Sequence, residues 1–63
     1  VSGDVVELLG VTDGGTSAKV RYVEVLGGGV ATAGTEGTLF AEDIATVDAN
    51  RFVGPGRTAS TSG

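Results

Sequence analysis

Glycine placement limits this chain more than any other feature. Twelve glycines in 63 residues recur between short runs of valine, threonine, leucine and alanine. No run keeps a 3.6-residue apolar period beyond two turns, which argues against a helical fold and for short strands joined by turns. "DVVELLGV" at 4 to 11 reads as a first strand. "TDGGTS" at 12 to 17 follows as a loop, because Asp13, Gly14 and Gly15 tolerate positive φ. "AKVRYVEV" at 18 to 25 alternates Ala18, Val20 and Tyr22 against Lys19 and Arg21. The alternation then slips at Val23 and Val25, which predicts either a bulge near Tyr22 or burial on both faces. A third strand is expected at Val30 to Ala33 after three consecutive glycines, a fourth at Thr38 to Phe40, a helical turn at Ala41 to Asp43 and a fifth strand at Ile44 to Val47.

Five short strands in this length predict an all-β fold, a small barrel or two orthogonally packed sheets. The expected core is Val5, Val6, Leu8, Leu9, Val20, Tyr22, Val23, Val25, Val30, Leu39, Phe40, Ile44 and Val47. A domain this short buries only about 60% of its unfolded surface. Small folds of this kind are usually rescued by disulfides, a metal or association. With no Cys and no His, association is the expected route, so a homo-oligomer or a place in a large assembly is predicted, with no metal and no cofactor.

Charge divides the chain in two. Residues 1 to 48 hold eight acids and two bases, a charge of −6, whereas residues 49 to 63 hold two arginines and no acid, a charge of +2. The first part is expected to be the barrel and the second an extended arm rich in Gly, Ser and Thr. Within that arm Arg51, Phe52, Val53, Pro55 and Arg57 are candidate partner-binding residues, since an arginine beside an aromatic is a common interface anchor. Lys19 and Arg21 are added as cations on one strand face, read either as a solvated edge that discourages wrong pairing or as a bridge to an acidic neighbour. Four scattered basic residues give no phosphate-binding cluster, so no nucleic-acid partner is expected. No apolar run approaches 18 residues, so no membrane partner is expected and the chain is read as soluble. The opening "VSGD" is what removal of an initiator Met before a small residue leaves, and a complete small gene product is expected.

Catalytic motifs do not assemble. "GVTDGGTS" has Gly10 and Gly15 at phosphate-loop spacing but Thr16 where the lysine must be. Gly27 and Gly29 are followed by Thr32 rather than the third glycine of a dinucleotide motif. Glu42 and Asp43 are too few for a calcium site. Without His or Cys, Ser-His and Cys-His pairings are impossible, and a non-enzyme is expected.

"GDVVELLG" at 3 to 10, "SAKVRYVEV" at 17 to 25 and "GTEGTLFAEDI" at 34 to 44 together resemble the bacterial SH3 domain pattern. That resemblance implies an SH3-like five-stranded barrel over residues 3 to 47. The chain departs from it where aromatics are usual: Ser17 and Ala18 replace a tryptophan, and Gly37 is followed by Thr38. An aromatic groove for proline-rich peptides therefore cannot be built from one Tyr and two Phe. In size, composition and a bias typical of GC-rich genomes, the chain also resembles accessory head proteins of tailed bacteriophages. This implies a capsid decoration or minor capsid protein located in the virion. The alternative expectation is a bacterial SH3-like module, cytoplasmic or directed at peptide or cell wall.

Overall fold

The computed structural model describes residues 2–26, 32–46 and 54–62. They form one five-stranded antiparallel sheet curled into a half-barrel. Its strands are β1 (Val5–Thr12), β2 (Ser17–Glu24), β3 (Glu36–Phe40), β4 (Ile44–Ala45) and β5 (Arg57–Thr61), in the spatial order β3-β2-β1-β5-β4. The all-β five-stranded expectation holds, and the curled sheet is compatible with an SH3-like barrel.

Two bulges make one face of the long β1–β2 hairpin continuously apolar. Leu8 lies opposite Val20 and Gly10 opposite Lys19, so Leu9 is an extra residue on β1. Because side chains alternate between faces, one extra residue flips the parity. Val6, Leu8 and then Val11 thus all reach the core side. On β2 the extra residue is Val23, since Tyr22 pairs with Val6 and Glu24 with Val5. The slip in the alternation is therefore a bulge beside Tyr22. Val23 stands 47% exposed, which corrects its assignment to the core. The hairpin turn is a 3-10 turn at Asp13–Gly15, with Asp13, Gly14 and Gly15 all at positive φ. These are the three residues expected to tolerate it.

The core consists of Val6, Leu8, Ala18, Val20, Ile44 and Ala59, with Val11, Tyr22 and Leu39 packed against it. Val5, Leu9 and Val25 are only half-buried. Phe40, expected inside, is 62% exposed, because β3 alternates Gly37 and Leu39 inward against Glu36, Thr38 and Phe40 outward. Val30 and Val47 lie outside the described residues. The strand expected at Val30 to Ala33 is not formed by its described part, as Ala33 and Gly34 make a turn that feeds β3. The helical turn at Ala41–Asp43 is present as a 3-10 turn, and Ile44 follows it into β4.

Arg57–Thr61 falls inside the segment expected to be an arm, yet it enters the sheet as β5 between β1 and β4. Val5, Val6, Glu7 and Leu8 pair with Ser60, Ala59, Thr58 and Arg57, and Ile44 pairs with Thr61. Small residues suit this position: Ala59 and Thr61 turn inward and are buried, while Thr58 and Ser60 face out. Main-chain bonds close the ladder, from Gly3 N–H to the Thr61 carbonyl at 2.9 Å and from Thr61 N–H to the Asp4 carbonyl at 2.8 Å.

Candidate partner-binding surface

The outer face of β1, β2 and β3 carries a charge ladder. Register places Glu7 opposite Arg21 and Arg21 opposite Glu36. Arg21 Nη1 donates to Glu7 Oε1 at 3.0 Å, its Nη2 donates to Glu36 Oε2 at 3.4 Å, and Lys19 Nζ lies 3.6 Å from Glu36 Oε1. β2 sits between β1 and β3, so Lys19 and Arg21 do not guard a sheet edge as one reading had it. Their charges are matched within the chain, leaving this row of two cations and two carboxylates neutral. Exposed pairs of this kind contribute roughly 0–1 kcal/mol each, so the row shapes the surface potential more than it holds the fold.

β3 is one border of the sheet. Tyr22 N–H donates to the Thr35 carbonyl at 2.8 Å, and Ala41 N–H donates to the Thr16 carbonyl at 2.9 Å, one just before β3 and one just after it. The pairing between them runs without a register shift. Antiparallel ladders bond at every second residue. Gly37 and Leu39 therefore bond to β2, and the main-chain groups of Glu36, Thr38 and Phe40 point away from it. At the Phe40 end an open cleft of about 320 Å³ is lined by Gly15, Thr16, Phe40, Ala41 and Glu42.

Asp4 locks the opposite end. Its buried side chain accepts from Leu26 N–H at 2.9 Å, and its own N–H donates to Thr61 Oγ1 at 3.0 Å. The Leu26 hydrogen bond favours the charged form and holds the Asp4 carboxyl below its ordinary range. Gly3 beside it has φ +94°, and a Cβ there would meet Leu26 Cδ1 at 3.0 Å. Asp4 was not among the expected core or site residues. The pair Gly3-Asp4 ahead of an apolar run was the available signal, as a residue free to turn followed by a short acceptor.

Among the candidate residues named from sequence, Lys19 and Arg21 share the charge ladder. Arg57 opens β5 opposite Leu8, and Pro55 is exposed in the bend before it, between Gly54 and Gly56. Arg51, Phe52 and Val53 lie outside the described residues. Glu42 and Asp43 sit in the 3-10 turn, where the Asp43 carbonyl accepts from Ser62 N–H at 2.7 Å. No group of three or more His, Cys, Asp or Glu side chains placed to hold a metal occurs among the described residues, and none of their helices is long and apolar enough to cross a membrane. No family model, curated protein or solved structure matches the chain.

Proposed function

We propose that this chain is a non-enzymatic structural component of a larger assembly, of the type of a tailed-phage capsid decoration or minor capsid protein that binds and stabilises a shell. The carrying observation is a minimal sheet whose border strand β3 is open among the described residues and ends at exposed Phe40. Edge strands are usually blunted by proline, bulges or extra charge, and β3 has only Glu36, already neutralised. In this reading the basic segment with Arg51, Phe52, Val53, Pro55 and Arg57 meets an acidic partner surface, and Lys19 and Arg21 contribute through the charge ladder. The test is mass spectrometry and imaging of purified particles from the source culture. A fixed copy number per shell is expected; recovery only in the particle-free fraction would contradict it.

A second reading, an SH3-like recognition module, is favoured by one observation: the three sequence blocks that resemble bacterial SH3 domains fall on β1, β2 and β3 with its 3-10 turn. Its mark would be a monomer that binds peptide or cell-wall fragments through the sheet. The sparse aromatic complement of the sheet weighs against it.

A further inference from the structure

We propose that β3 is a self-pairing edge, and that two copies of this chain join through it about a two-fold axis at Thr38 to give a continuous sheet. Three observations carry this. First, Glu36, Thr38 and Phe40 direct their main-chain groups outward by the ladder parity set by the Tyr22–Thr35 and Ala41–Thr16 bonds. A template of alternating outward donors and acceptors accepts an antiparallel strand with about six hydrogen bonds.

Second, the strand is complementary to itself in that register. Thr38 meets Thr38 of the second copy, a favourable cross-strand pair. Glu36 meets the exposed Phe40 of the second copy, and Arg21 and Lys19, which already hold Glu36, stand one strand behind it. The ring is thus set against a carboxylate whose charge is matched by the cations one strand further back. Continuing the register lays Gly34 and Thr35, just before β3, over Glu42 and Ala41, two of the residues that line the cleft. Third, the chain is acidic at −4, so two copies repel in general, but the approach along β3 is through the neutral ladder of Glu7, Arg21, Lys19 and Glu36. A closed two-fold pairing also stops at two copies rather than growing into a fibre.

The chain holds no cysteine, so Thr38→Cys is a clean probe. In a two-fold hydrogen-bonded pair the two Cα atoms stand about 5.5 Å apart, within disulfide range. Under mild oxidation Thr38→Cys is expected to form a covalent dimer at least about tenfold faster than Thr58→Cys, which sits on the outer face of a central strand; the comparison separates pairing from random collision. Sedimentation of the unsubstituted chain is expected to show mass doubling between about 10 and 500 μM, the range of a small interface. Thr38→Pro removes an outward donor that β2 does not use, and is expected to be folded by circular dichroism and monomeric. Equal cross-linking rates for the two cysteine variants, or a chain monomeric throughout that range, would overturn the proposal.

Discussion

Asp4 joins three segments distant in sequence through its main chain and side chain: its own, β5 and the stretch just after β2. Its N–H and carbonyl bond to Thr61 in β5, and its carboxylate receives the main chain of Leu26 beyond β2. The Leu26 N–H stabilises the ionised form, so the folded-state value lies below the unfolded one. The sign follows: the unfolded chain takes up the proton first as pH falls. The contribution of Asp4 is complete above the unfolded value near about 3.9, and is lost as pH drops through that value and then through the folded one. Asp4→Asn keeps an oxygen for Leu26 but cannot titrate. Urea midpoints measured from about pH 6 to about pH 2 are expected to fall less steeply for Asp4→Asn than for the unsubstituted chain; parallel curves would show that the carboxylate is not linked to folding. Lys19 and Arg21, more conspicuous in the sequence, pair on an exposed face, where each contact contributes little.

At the scale of elements, β5 differs most from what its residues announce. Arg57–Thr61 is short, polar and free of large apolar side chains, and pattern reading places such a stretch in a tail. Its membership in the sheet is set by what lies on either side: β1 offers an edge at Val5–Leu8, and the inner face there has room for Ala59 and a hydroxyl-bearing Thr61. That information resides in the neighbours, not in the strand itself. By contrast, β2 was legible because Ala18, Val20 and Tyr22 alternate against two cations, and its bulge was legible because Val23 breaks that alternation. The 3-10 turn at Ala41–Asp43 was also anticipated. Phe40 misled, because hydrophobicity alone cannot say which way a residue of an edge strand faces. The open edge of β3 could not be read at all before the strand order was known. The role of Thr61 can be measured. Thr61→Val preserves shape but removes the acceptor of the buried Asp4 N–H, and is expected to cost about 1–3 kcal/mol in urea unfolding. Thr61→Ser should recover much of that loss, and a valine variant as stable as the parent would show that this hydrogen bond is dispensable.

For the whole molecule, the consequence is that the two ends of the chain belong to one structure. Gly3 and Thr61 are hydrogen-bonded neighbours, and β5 connects β4 to the rest of the sheet. With Arg57–Thr61 an integral strand, the proposed partner would be met by what the described part of the sheet leaves open, namely the β3 edge and the cleft beside Phe40. If it were instead an arm draped over a neighbour, the remaining sheet would stand alone. Deleting residues 57–63 distinguishes these. Without β5, Val6 and Leu8 lose their cover on one side and Ile44 loses the one strand it pairs with among the described residues; full exposure of three such side chains would forfeit about 5–9 kcal/mol, comparable to the entire stability of a small domain, about 5–15 kcal/mol. The direct measurement is thermal and urea unfolding of the truncated chain, followed by circular dichroism. We predict no cooperative transition and loss of the strand spectrum. A truncated chain that unfolds cooperatively near the full-length midpoint would contradict the account.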